Sequence, residues 1–433
     1  MNTGKSFFQN DGVKTILASL LAILVGLLAG IIVIIIVGLV NPSIGTGNVW
    51  DGIRLVVFGV FNKGRDAATG ALRFGFNPTF FGNMLFRAMP LILTGLSVAI
   101  AYKTGLFNIG APGQYLAGTC ASLFLALSIP TSSIPAWLVW IIALLGGMIA
   151  GALWGCIPGL LKALLNINEV IACIMTNWLV ASLVTWAFDI SNLKNVIEGP
   201  KTGYIYKTSM IINDVVVDGV QTVAGTNIPE GAQVLATRGG VATTKMGLDK
   251  LFSGSQVNGG IPIAILLAVA FYIIMEKTTL GYQLKACGSN RHAAKYAGIK
   301  DKRNIVLSMA LAGAMAGTAG ALYSLSGNTE FFWTTYQSLP AVGFTGIAVA
   351  LLAVNNPIGV IFSGMFMSLL NINGQQLTNL TAYNEYITDV IIAVIVYLSA
   401  FMLIIKTWLS RKKKEKSKSV PAAAVKKTEE VQG

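Results

Sequence analysis

Apolar residues gather in long runs that end in Gly, Pro, Asn or a charge. Ile16–Val40 has no charged residue. It exceeds the roughly 20 residues of helix that cross a bilayer core, and a cleavable signal has a shorter apolar stretch. It therefore reads as a retained membrane helix. Similar runs follow at Met84–Ala101, Tyr115–Leu127, Ile134–Pro158, Glu169–Phe188, Ile261–Met275, Ile305–Ser326, Leu339–Val354, Pro357–Leu370 and Tyr386–Ile405. The pattern predicts an all-α polytopic membrane protein with about ten transmembrane helices. Leu339–Val354 and Pro357–Leu370 are short and joined by Asn355-Asn356-Pro357, so they form two spans or a partly re-entrant hairpin. Ile53–Phe61 is too short to span and reads as an interfacial helix. Pro90 should kink the second span, and Arg87 near its start is expected to snorkel to the surface.

The polar stretches between the runs set the organisation: a cytoplasmic N-terminus (1–15), spans one to five (16–188), an extracytoplasmic insert (189–258), spans six to ten (259–405) and a basic cytoplasmic tail (406–433). The insert mixes both charge signs with strand-like runs such as Val215–Val217. Residues 276–304 form a basic loop carrying Lys277, Lys285, Arg291, Lys295, Lys300, Lys302 and Arg303. The tail is expected to be disordered beyond Lys418.

Composition sharpens this picture. Hydrophobic residues make up 54% and charged residues 11%, against roughly 25% charged in soluble chains. The net charge of +13 is concentrated in one loop and one tail beside apolar runs. That is the positive-inside pattern, not a nucleic-acid surface. It places both termini and the 276–304 loop in the cytoplasm. Cys120, Cys156, Cys173 and Cys287 lack metal-ligand spacing, and His292 has no partner ligands nearby in sequence.

One stretch departs from apolar monotony. Gly105-Leu106-Phe107-Asn108-Ile109-Gly110-Ala111-Pro112-Gly113-Gln114 packs three glycines, a proline and two amides between two spans. Such backbone cannot stay helical, so it is either a tight turn or a helix break lining a cavity. Asn108, Gln114 and Asn177 are amides at the break or within an apolar helix. They are the candidate substrate path; the plainer reading is that they tie helices together. Gly147, Gly151, Gly155 and Gly159 recur every four residues, which marks a helix-packing face.

This stretch also resembles the Gly-Leu-Phe-Asn-Ile-Gly-Ala-Glu-Gly-Gln signature of ABC-importer permeases, in the family that includes branched-chain amino acid, ribose and nucleoside permeases. Pro112 stands where Glu is usual. Asn168-Glu169-Val170-Ile171 with Met175-Thr176-Asn177 resembles a second family motif. Leu280-Gly281, Gly288-Ser289-Asn290, Ala293-Ala294 and Ala297-Gly298-Ile299 resemble the family's cytoplasmic loop. The form of the first motif is nearest the nucleoside and simple-sugar branch.

The resemblance implies a bacterial plasma-membrane permease without a cofactor of its own. Its implied partners are an ATP-binding subunit, often with tandem domains, a second permease and an extracytoplasmic substrate-binding lipoprotein. It also implies an inverted repeat of spans two to five and seven to ten, with ATPase coupling through Gly288, Ala293, Ala294 and Gly298. Nucleosides rank first as cargo, simple sugars second and branched-chain amino acids third. The chain carries no phosphate-binding loop, nucleophile elbow or metal cluster in its sequence, and few charges near span centres. It is therefore read as a transport path and not an enzyme. A stand-alone secondary carrier is the alternative, although such carriers usually hold membrane-buried carboxylates. A lipid-handling scaffold has no positive signal.

Overall fold

The computed structural model describes residues 11–41, 44–129, 131, 133–193, 201–203, 206–212, 215–220, 233–333, 338–384 and 386–400. The tail 406–433, with its expected disorder, and residues 1–10 lie outside them.

Helix α1 (Asp11–Val40) leads to α2 (Gly45–Phe58), a 3-10 turn (Gly59–Phe61) and an antiparallel hairpin of β1 (Asn62–Arg65) and β2 (Leu72–Phe74). Four helices follow: α3 (Pro78–Lys103), α4 (Ala111–Ser128), α5 (Ala136–Leu165) and α6 (Glu169–Ile190). The insert contributes β3 (Tyr206–Ile212), β4 (Val215–Val220), β5 (Gln233–Gly240) and the one-turn α7 (Leu248–Leu251). Then come α8 (Gly260–Lys277), α9 (Thr279–Ser289), α10 (Arg291–Tyr296), α11 (Asp301–Ser324), α12 (Ala341–Leu352), α13 (Pro357–Leu380) and α14 (Tyr386–Ala400).

Asparagine starts several of these helices. The side chains of Asn77, Asn168, Asn290 and Asn356 accept from first-turn N–H groups of α3, α6, α10 and α13. Asn166, at φ 54°, closes α5.

Among the described residues, six helices are long and apolar enough to cross a membrane: α3, α5, α6, α8, α11 and α13. The protein is a predominantly helical, multi-pass membrane protein. Three features refine the sequence expectation. The insert contains a three-stranded antiparallel sheet in the order β4-β3-β5, so the chain is not helical throughout. α12 has 12 residues, about 18 Å of helix, well short of a bilayer core. α13 does not stop at Leu370 but continues to Leu380, carrying five amides into its last three turns.

α3 and α11 are the most enclosed of the six. α5 buries one narrow stripe and exposes Trp137, Ile141, Leu145, Ile149 and Leu153, a surface suited to lipid. Its buried stripe is the glycine series. A Cβ on Gly151 would meet the Gly313 carbonyl and Gly317, one on Gly155 the Met309 carbonyl, and one on Gly159 Met309 and Val306. Gly147 lies against Ala321 and the Gly118 carbonyl. Absent side chains thus let α5 and α11 come into backbone contact, the approach by which helices gain dispersion energy in lipid.

The bundle has two distinct ends. At one, Thr79 Oγ1 donates to the Ser253 carbonyl (3.0 Å) and the Gln256 N–H to Asn83 Oδ1 (2.8 Å), which ties the start of α3 to the insert. At the other, the end of α3 meets the basic loop, where Gly105 faces Gly288.

Candidate functional site

α3 ends at Lys103 and α4 starts at Ala111. Gly105 adopts φ +74°, a left-handed conformation that costs glycine little, and so lets the chain reverse. Asn108 then folds back beside α3, and its Nδ2 donates to Ser97 Oγ at 3.0 Å. Ser97 is six residues before Lys103, about 9 Å up the helix. α4 therefore begins within the bundle, not at its edge. Asn108 and Gln114 bond reciprocally: Asn108 Nδ2 donates to Gln114 Oε1 (2.7 Å) and Gln114 Nε2 to Asn108 Oδ1 (3.1 Å). Asn108 Oδ1 also accepts from the Gly110 N–H at 3.0 Å. Asn177 on α6 accepts from the Gly113 N–H (3.0 Å) and donates to the Ile109 carbonyl (3.0 Å).

The structure brings these three amides, the candidate substrate path of the sequence, together at the start of α4. Asn108, Gln114 and Asn177 are 0%, 1% and 1% exposed. Every nitrogen and oxygen of their side chains is paired within the protein. The physical reason is the helix start itself. The first-turn N–H groups of α4 have no intrahelical acceptor, and lipid offers none, so side chains must supply them. The start of α12 lies against the same place, with Gly343 packed on the Pro112 backbone.

The basic loop folds as α9 and α10. Gly288 points inward, where a Cβ would meet the backbone of Lys103, Thr104 and Gly105. Ala294 is also buried, whereas Ala293 and Gly298 are exposed. Of the four loop residues singled out from sequence, only these two face outward. Among the described residues the most exposed large hydrophobic side chain is one that the sequence did not single out: Tyr296, 94% exposed at the end of α10. Arg291 Nε pairs with Asp301 Oδ2 at 2.7 Å and fixes α10 to the start of α11. Lys285 pairs with Glu276 at 2.9 Å.

Two cavities lie near the insert end. One, of about 430 Å³, is walled by Tyr115, Tyr323, Thr329, Glu330, Pro340 and Val342 among others. The other, of about 540 Å³, lies between α3, α13 and α14 and is lined by Arg87, Asn371, Gly374, Gln375, Thr378, Asn379, Tyr386, Thr388 and Asp389. Arg87 is not simply a snorkelling cation. With the Gln375 amide oriented by its hydrogen bonds, both terminal guanidinium nitrogens donate to its oxygen, at 2.9 and 2.8 Å. Ending the ninth span at Leu370 hid this site. The signal was legible in Asn371, Gln375 and Asn379, which recur every four residues and fall on one face once the helix is extended.

Residues 80–400 match the family described as the permease component of branched-chain amino acid transport systems. The chain belongs to this permease family. It is 36% identical to the nucleoside ABC transporter permease protein NupB of Lactococcus lactis subsp. cremoris, over 79% of this chain and 89% of that one. It is 32% identical to the guanosine ABC transporter permease protein NupP of Bacillus subtilis, over 78% and 85%. The glucose ABC transporter permease protein TsgB13 of Haloferax volcanii is 30% identical over 68% of each chain. No solved structure shows significant similarity. The permease is the membrane subunit of an ABC importer, a role that requires an ATP-binding subunit and a substrate-binding protein. This sets aside the stand-alone carrier.

Proposed function

We propose that this permease carries nucleosides, with simple sugars as the second choice, by a route driven by ATP hydrolysis on a separate subunit. The observation that carries this reading is the extent of the alignment with two relatives named for nucleoside and guanosine transport. The name of the glucose permease keeps sugars in view. The deciding experiment is ligand stabilisation of the partner binding lipoprotein: guanosine should raise its melting temperature. A lipoprotein stabilised by leucine and not by guanosine or glucose overturns the ranking.

In this reading ten helices cross or enter the membrane, and both termini and the 276–304 loop are cytoplasmic. The concentration of Lys and Arg at the Gly288 end supports that orientation. An inverted repeat of α3–α6 and α11–α14 is supported by crossed packing. α3 packs on α12 and α13, while α11 packs on α4 and α5. Asn108, Gln114 and Asn177 act as the brace of the α3–α4 break, not as solute contacts. The ATP-binding subunit, with tandem domains, docks on the outward face of α10, where Ala293, Tyr296 and Gly298 are exposed. Gly288 and Ala294 hold that helix to the bundle. A second, different permease chain completes the route.

A further inference from the structure

We propose that the cavity around Arg87 is a solute-binding station on the translocation route. It takes a neutral solute that both donates and accepts hydrogen bonds, as nucleosides and sugars do. This rests on the permease reading above.

Depth is the first argument. Arg87 is nine residues into α3 and Gln375 five residues from the end of α13. At 1.5 Å per residue these positions are about 13 Å and about 8 Å inside their helix ends. Side chains at such depth meet lipid, protein or a water-filled space. Gln375 is exposed at that depth, and Asn379 is exposed one residue from the end of α13. Lipid cannot satisfy amides, so this face opens onto water or another polar surface.

The opposite face of α13 shows what a purely structural amide does on this helix. Asn373 accepts from the Val60 N–H (2.7 Å) and donates to the Val56 carbonyl (2.8 Å). Gln376 accepts from Asn62 at 3.1 Å. Those amides are buried and tie α13 to the α2–β1 segment. On the Gln375 face the tie among the described residues is the one from Arg87.

Chemistry is the second argument. Among the described residues that line the cavity are one cation, Arg87, and one carboxylate, Asp389, which has no ion pair among the described residues. The two charges balance, which disfavours a strongly charged solute of either sign. The Thr388 hydroxyl is buried on the cavity wall without a hydrogen-bond partner among the described residues. The volume, about 540 Å³, falls within the roughly 300–1,000 Å³ of small-molecule sites. The guanidinium fork is planar and aimed at a single oxygen. The Gln375 oxygen fills it here and is replaced by a carbonyl or hydroxyl oxygen of the solute, which frees the amide to bond the solute as well.

The test uses the full importer in proteoliposomes, with ATP-binding subunit, second permease and lipoprotein, and tritiated guanosine and radiolabelled glucose as probes. Arg87→Gln removes charge-assisted hydrogen bonds and should lower uptake about tenfold or more. Co-purification of the ATP-binding subunit should be unchanged. Arg87→Lys keeps the charge without the fork and should rescue only partly. Gln375→Cys and Asn379→Cys should react with a hydrophilic thiol reagent added from the insert side, and reaction should block uptake beyond any effect on the parent chain. Normal uptake by an assembled Arg87→Gln importer overturns the proposal. So do cysteines that react in the permease alone but are shielded in the assembled importer, because the face then belongs to the second permease. A parent importer that shows no ATP-dependent uptake of either probe fails the underlying reading instead.

Discussion

The buried amide set at the α3–α4 break makes a quantitative prediction. Asn108→Ala removes Oδ1, which accepts from the Gly110 N–H and Gln114 Nε2, and Nδ2, which donates to Ser97 and Gln114. It leaves the Gly110 N–H and both ends of the Gln114 amide without these partners, in a region with no solvent access. Each buried orphan costs about 1–3 kcal/mol, so the low end for three groups is about 3 kcal/mol. Gln114→Ala takes one partner from each of the two Asn108 atoms, which keep Ser97 and the Gly110 N–H, so it should cost less than Asn108→Ala. The double variant removes the amides from both sides. It should be less destabilised than the sum of the single variants, with a coupling of about 1–3 kcal/mol. Thermal unfolding in detergent, followed by loss of the monodisperse peak, reads the cycle.

The transport measurement separates bracing from solute contact. An assembled Asn108→Ala importer should show near-normal uptake per assembled complex, because the side chain touches protein only. A coupling energy indistinguishable from zero would refute the bonded pair. An intact, stable Asn108→Ala complex with altered solute selectivity would refute the bracing assignment and return Asn108 to the route.

Three further outcomes follow from other parts of the structure. Gly155→Leu places side-chain atoms where the Met309 carbonyl stands, so α5 and α11 must separate. Overpacking of this kind costs about 1–3 kcal/mol or more, seen as aggregation on size-exclusion chromatography. Tyr296→Ala should leave folding unchanged, since the side chain is 94% exposed, but reduce pull-down of the ATP-binding subunit. Unchanged pull-down would move docking elsewhere. In the β1–β2 hairpin, the N–H groups of Thr69 and Ala68 and the Thr69 hydroxyl hold the Asp66 carboxyl below the usual carboxylate range. A depressed folded pKa gives a contribution that is complete above the unfolded value, about 3.9, and fades as pH falls through the folded one. Hydrogen exchange at Ala68 and Thr69 should therefore be flat from pH 7 to about pH 5, after correction for intrinsic rates, and quicken only below about pH 4.

Much of the helical plan was legible because lipid imposes one rule along the chain: long apolar runs become helices, and small residues at four-residue spacing become contact faces. Gly151 and Gly155 were readable because a helix face depends only on local periodicity. The length of α13 was not. Asn371, Asn373, Gln375 and Gln376 look like the end of a membrane segment until their partners are known. Asn373 and Gln376 find theirs on the α2–β1 segment, some three hundred residues earlier. The same limit applies to Asn108. Polarity at a helix break is visible in sequence, but whether the amide faces a route or another amide depends on where Ser97 and Gln114 come to rest. The β-sheet of the insert was foreshadowed only by runs such as Val215–Val217.

The loop motif and the break motif, distant in sequence, are one contact in space. Gly288 on α9 lies on the backbone of Lys103, Thr104 and Gly105, with no side chain between them. From Gly105 the chain runs three residues to Asn108, whose bonds fix the start of α4, and Pro112 in that start bears on Gly343 of α12. Packed backbone transmits displacement because interiors are close-packed and have little free volume to absorb it. A displacement of α9 bears on the break through Gly288 and on α8 through Gly281, which lies on the Met275 backbone. The glycines of the two motifs share a physical reason: both stand where two backbones touch with no side chain between them.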